Sequence, residues 1–317
     1  MRILAKLAMP IVILQLGLMF FGVVDTWFMG KIGPQAIAAV GLGHALGFAL
    51  FAFGIGLLYG VDTLVSQAIG AENREEAARL YIASLVLACG ISASFFFLLT
   101  LGAGPLLRAV GVEEELSRNV LVYLNLLRWI YFPGLIFVAS RQFLQANGIA
   151  WPIVLALVGA NVLNIIFNDA LVMGNYGFPR WEIYGSGMAT ILANWILAVV
   201  TSFLALRRAC VVLKTSRLFF QWKLVCDLLR LGIPGGGQTL LEVGVFAFVS
   251  MLIGRFGAMT SAAHQLTLNL ASLTFMIPMG LSYATAARIG FIFGAKRFAE
   301  VSVVGAAAMT IGGIVMT

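Results

Sequence analysis

Four charged side chains, Asp25, Arg128, Asp169 and Glu242, interrupt stretches that are otherwise apolar over the length of a bilayer span. Each would cost roughly 2.5 to 3.5 kcal/mol at the centre of an inserted helix, so each must face a partner or a wet cavity. Asn161, Asn164 and Asn168 follow one another at i, i+3 and i+7, one face of a helix. A carboxylate ringed by amide and hydroxyl oxygens is a donor set for a hard cation such as Na+, and the same carboxylate can carry a proton. At about 1.5 Å per residue, Glu242 falls midway along its apolar stretch, while Asp25, Asn168 and Thr190 lie about 7 to 10 Å toward the far side and Asn164 about 3 Å. Four oxygen-bearing side chains thus share a layer.

Other uses of these groups stay open. Asn161 and Thr190 can form an interhelical hydrogen-bond ladder. Glu242 can pair with Arg128, the one cation placed inside a span. Asp169 points about 100° away from Asn168 and sits near a span end, where water reaches it. Asp62 falls at the inner interface, and His44 and His264 serve packing or protonation.

The elements that hold these groups must be membrane helices. Of 317 residues, 61% are hydrophobic and 10% charged, too apolar for a water-soluble globule. Nine spans can be read, over 7–29, 36–59 (continuing to 69), 80–103, 120–140, 151–173, 183–206, 231–253, 258–287 and 301–317. The stretch 7–29 is too long for a signal-peptide core and reads as an uncleaved first span. Most of the 20 basic residues fall on one side of these spans, among them Arg2, Lys6, Arg74, Arg79, Arg141 and the cluster in 207–230. That bias puts the N-terminus in the cytoplasm, and it accounts for the net charge of +7 without a nucleic-acid partner.

The basic stretch 207–230 reads as a cytoplasmic linker, with Leu218, Phe219, Phe220 and Trp222 lying along the interface. It separates a six-helix bundle over 1–206 from a partial bundle of about three helices over 231–317. Sliding the chain against itself by 224 positions aligns KLAMP (6–10) with RLGIP (230–234). Without a gap, Gly30, Gly33, Gly56, Tyr59 and Gly70 then meet Gly254, Gly257, Gly280, Tyr283 and Gly294. Six spans separate the repeat starts, so both copies enter the membrane from the same face. Parallel repeats of this kind are a transporter pattern. The second copy stops after its third span, at Thr317.

Enzyme readings find no support in motifs: no DDxxD, HExxH or GxSxG lies within a span. Cys89, Cys210 and Cys226 have no metal or redox spacing.

Several stretches resemble the multidrug and toxic compound extrusion (MATE) family, especially its NorM-like bacterial branch. They are Pro10 with Gln15 and Val24-Asp25-Thr26, 54–71 (GIGLLYGVDTLVSQAIGA), 141–148 (RQFLQANG), 161–168 (NVLNIIFN), 185–190 (GSGMAT), 231–242 (LGIPGGGQTLLE), 262–270 (AAHQLTLNL) and 278–295. The resemblance implies an all-α polytopic membrane protein of two helical lobes around a central cavity. The first six-helix lobe is complete and the second reduced to about three helices. It implies efflux of small amphipathic cationic drugs by exchange for Na+ or H+, in a monomer of the bacterial cytoplasmic membrane with no other cofactor. Asp25 then takes the ion with Asn164, Asn168 and Thr190, Na+ at Asp25 being the only metal expected. Glu242, Gln15, Asn161 and Gln238 line the substrate cavity. Where some members carry Asp, this chain has Asn168. A flippase for polyisoprenyl-linked sugars is the alternative; it would want cationic side chains in the cavity.

Overall fold

The computed structural model describes residues 2–213 and 221–316, and among them the secondary structure is helical, with no strand. The first half comprises α1 (Arg2–Gly30), α2 (Pro34–Leu57), α3 (Tyr59–Gly70), α4 (Arg74–Val110), α5 (Glu114–Leu127), α6 (Tyr131–Ala146), α7 (Trp151–Met173) and α8 (Glu182–Leu213). It is followed by α9 (Trp222–Ile253), a 3-10 turn (Gly254–Phe256), α10 (Ala258–Gly294) and α11 (Ala299–Met316). Among the described residues seven stretches are long and apolar enough to cross a bilayer, α2 and α3 forming one of them. The pair α5 and α6 makes an eighth, bent by 51°, and 299–313 is a shorter apolar helix. The chain is a polytopic, all-helical membrane protein.

The bend corrects the straight span read over 120–140. Pro133 stands in the first turn of α6 and has no N–H to give the carbonyl of Trp129, so the helical hydrogen-bond ladder is interrupted there. The chain closes instead with tighter i−3 bonds, Trp129 N–H to Leu126 O at 3.0 Å and Ile130 N–H to Leu127 O at 2.9 Å. Arg128 therefore caps the end of α5 rather than sitting within a helix. A second correction concerns Arg141, counted from the sequence among the residues on the basic side. Helix α6 runs on to Ala146, and Arg141 is 4% exposed.

Elsewhere the ends are local chemistry. The Asn73 side chain caps α4, its Oδ1 accepting from Glu76 N–H at 3.1 Å while its Nδ2 donates to Glu76 Oε2 at 2.7 Å. The basic stretch 207–230 is largely helical, since α8 continues to Leu213 and α9 begins at Trp222. Leu218, Phe219 and Phe220 lie outside the described residues.

The repeat read from the sequence sets the helix limits. Pro34, where α2 starts, and Ala258, where α10 starts, are 224 positions apart, as are Gly70 and Gly294, where α3 and α10 end. The main apolar core lies mostly within α1–α8, around the fully buried Tyr81, Tyr123 and Tyr131, and takes in Val225, Leu228 and Met251 of α9 and Ala262 of α10. Against it α9 packs along α2 and α10 along α1. Lipid tails are as apolar as leucine, so burial alone does not drive such contacts; close backbone approach and hydrogen bonds do. Gly70 and Gly294 supply the approach reciprocally. A Cβ on Gly70 would run into the carbonyl oxygen of Phe291, and one on Gly294 into that of Gln67, the position equivalent to 291 under the same offset.

Candidate functional site

Asp25 lies one and a half turns from the end of α1, away from the side of the bundle where that helix begins. It is 2% exposed. Its Oδ1 accepts from Asn168 Nδ2 at 3.0 Å and its Oδ2 from the Thr190 hydroxyl at 2.6 Å. Asn164, one turn before Asn168 on α7, is fully buried and sends its Nδ2 toward Thr190 Oγ1 at 3.4 Å. Three helices, α1, α7 and α8, thus converge on one carboxylate, and no basic side chain among the described residues bonds it.

The site has acceptors to spare. The Oδ1 atoms of Asn164 and Asn168 are buried and receive no hydrogen bond. A buried carbonyl oxygen without a donor is costly, and such groups are rare unless an ion, water or proton completes them. One negative charge with neutral oxygens facing it suits a monovalent cation or a single proton. Tyr123 of α5 belongs to the same region and was not singled out from the sequence. It is fully buried, within electrostatic range of Asp25, and its hydroxyl has no partner.

The remaining sequence candidates separate from this cluster. Asn161 acts as a bolt, its Nδ2 donating to Gly17 O of α1 and to Leu157 O, each at 3.0 Å. Gln15 is buried nearer the start of α1, where its Oε1 accepts from Arg141 Nη1 at 2.7 Å. Gln238 and Glu242 stand one turn apart on α9, both exposed, with no hydrogen bond or ion pair among the described residues. Arg128 does not reach Glu242; it donates to Thr100 Oγ1 at 3.1 Å and lies over the Phe96 ring. Asp169 is held at the surface by Asn175, whose Nδ2 reaches both its oxygens at 3.1 Å.

A second polar group, partly buried, sits toward the opposite end of the bundle. The hydroxyls of Tyr59 and Tyr283 meet at 3.0 Å, and the Arg141 guanidinium lies 5.6 Å from the Tyr283 ring centre. Asp62, one turn along α3 from Tyr59, is close enough to Arg141 for the two charges to interact. Asp62, read from the sequence as interfacial, and Arg141, counted on the basic side, are therefore part of the packing between the halves.

A family model, MatE, matches residues 10–169 and 234–317. A probable multidrug resistance protein NorM of Pseudomonas putida is 33% identical over 320 residues, which cover all of this chain and 69% of that protein. Its counterpart from Pseudomonas syringae pv. tomato is 34% identical over 323 residues, with 99% and 69% covered. Among solved structures, a MOP superfamily transporter from Pyrococcus furiosus superposes with a TM-score of 0.81 at 20% identity, covering 98% of this chain and 69% of that one. The eukaryotic MATE transporter AtDTX14 does so with 0.79 at 19%, over 98% and 69%. At such identities the structures speak for the fold alone.

Proposed function

The chain belongs to the MatE family, which places it among transporters rather than enzymes, and from that premise we propose a multidrug efflux carrier of a bacterial inner membrane. It exchanges Na+ or H+ entering the cell for small amphipathic, often cationic drugs leaving it. The two halves act as lobes, 1–206 and 231–317 joined by 207–230, that open alternately to the cytoplasm, where the N-terminus lies, and to the outside.

The observation that carries this reading is the Asp25 carboxylate, buried without a cationic partner and facing two asparagines with unused carbonyl oxygens. A cation arriving there replaces the Asn168 Nδ2 donor and draws in the Oδ1 atoms of Asn168 and Asn164. A proton instead turns the carboxyl into a donor toward one of them. Either ligand reorganises the side chains that tie α1 to α7 and α8. Such a change couples to transport only if the ion favours one lobe arrangement over the other, because a ligand with equal affinity for both shifts nothing. Glu242, with Gln238 one turn away, supplies the negative charge that a cationic drug requires, and Gln15 and Asn161 belong to the opposite wall of the cavity. The flippase alternative would require uncompensated cations there, whereas Arg141 is faced by Asp62 and Gln15.

The test is ethidium movement in vesicles carrying the protein under imposed Na+ or H+ gradients, with Asp25→Asn and Glu242→Gln alongside. Gradient-driven movement is expected to vanish in Asp25→Asn and to weaken for cationic dyes in Glu242→Gln. Unaltered movement in both variants overturns the assignment.

A further inference from the structure

Asp25 reaches only side chains of its own lobe, but the next residue does not. Thr26, about 100° further round α1, faces α10 of the second lobe. Its hydroxyl donates to Gly22 O at 2.7 Å within α1 and accepts from Asn269 Nδ2 at 2.9 Å. Asn269 is held in turn by Gln265, one turn earlier, whose Nε2 donates to Asn269 Oδ1 at 3.2 Å. All three side chains are 8% exposed. Gln265 packs on Gly41 of α2, its own counterpart under the 224 offset, where a Cβ would lie 2.6 Å from Gln265 Cγ. In the outer half of the interface, therefore, a short polar chain from the second lobe ends beside the carboxylate of the first.

We infer that Asn269 is a positioning residue for ion coupling: it clamps α1 to the second lobe through Thr26 and is released when Asp25 takes its ion. The inference rests on the reading of Asp25 as the ion carboxylate. With Asp25 bonded to Asn168 and Thr190, α1 sits where Thr26 reaches Asn269. Ion binding draws the α7 amide oxygens and Asp25 together, moving α1 toward its own lobe, and the Thr26 oxygen leaves Asn269. The outer ends of the lobes are then free to part. The clamp thus ties the spacing of the outer lobe ends to whether Asp25 holds its ion.

Spin labels on Tyr176→Cys and Phe256→Cys, both exposed at the outer ends of opposite lobes, report the separation in lipid discs once Cys89, Cys210 and Cys226 are replaced by Ser. NaCl is titrated at fixed pH, and pH is titrated without Na+. The parent protein should lengthen its inter-label distance with one of these ions, and Asp25→Asn should give a distance that neither ion changes. Asn269→Ala and Thr26→Val should each raise the long-distance population about fivefold without ion, the worth of one net hydrogen bond. Combining the two should add nothing further, and Thr26→Ser, which keeps the oxygen, should behave as the parent. If the parent responds and Asp25→Asn does not, yet Asn269→Ala and Thr26→Val keep the full ion response, the clamp is wrong and the ion site stands. If the parent responds to neither ion, both fall together.

Discussion

The hydroxyls of Tyr59 and Tyr283 meet at 3.0 Å, and the two residues are separated by 224 positions, the offset that aligns one repeat with the other. A residue bonded to its own counterpart lies on the axis relating the two halves. On the side of the bundle where α1 begins, that axis is therefore closed, with Arg141 stacked against the tyrosine pair and tied to Gln15 of α1. Any opening between the halves on this side must part this pair. In Tyr59→Phe and Tyr283→Phe, labelling of a cysteine at the buried position Ser66 by a maleimide reagent added to the cytoplasmic face is expected to quicken about fivefold. The double variant should be no faster than either single one, because both remove the same bond.

Asp25 and Asp169, both toward the end of the bundle away from the start of α1, should separate cleanly in an ion-driven dye assay. Asp25→Asn is expected to abolish the gradient-dependent component, while Asp169→Asn, altering a surface carboxylate bound only to Asn175, should leave it unchanged. An equal loss in both would mean that net charge on the outer side, rather than the buried cluster, governs the effect.

Asn161 is expected to matter for stability more than for coupling, because its amide is spent on the backbone of α1 and of its own helix. Asn161→Leu should lower thermal stability by about 0.6 to 2 kcal/mol, the range for interhelical hydrogen bonds in membranes. The ion concentration giving half-maximal dye movement should stay at the parent value. A shift in that concentration would bring Asn161 into the ion site instead.

Alanine at Gly70 or Gly294 should destabilise the closed crossing of α3 and α10 by about 1 to 3 kcal/mol, as overpacking does, since each Cβ meets a main-chain carbonyl that has no rotamer to escape into. Alanine at Gly90 or Gly159, which face open space, provides the control and should be tolerated. Thermal unfolding in detergent and the Ser66→Cys labelling assay read both effects.

Much of this arrangement could be read before any coordinates. The helical period puts Asn164 and Asn168 on one face, and counting residues from the span ends places Asp25 and Thr190 at their depth. Hydrogen bonds now join all four. The register of the repeat was legible too, because its shared residues are ones that helix ends and close crossings demand. Arg141 was misread because a hydropathy boundary stops at a charge, whereas the helix continues past it, with Asp62 and Gln15 near enough to compensate. Tyr123 was invisible, since an aromatic residue in an apolar run looks like packing until a carboxylate is found nearby. The bond between Thr26 and Asn269 depends on which face of α10 meets α1, a matter of tertiary packing that neither helix encodes alone.

The crossing of α3 and α10 is built from main-chain carbonyls, two glycines and a pair of tyrosines, and each half brings the same kit. A duplicated ancestor would leave such a trace: two halves that look like strangers residue by residue, yet still shake hands with the same grip.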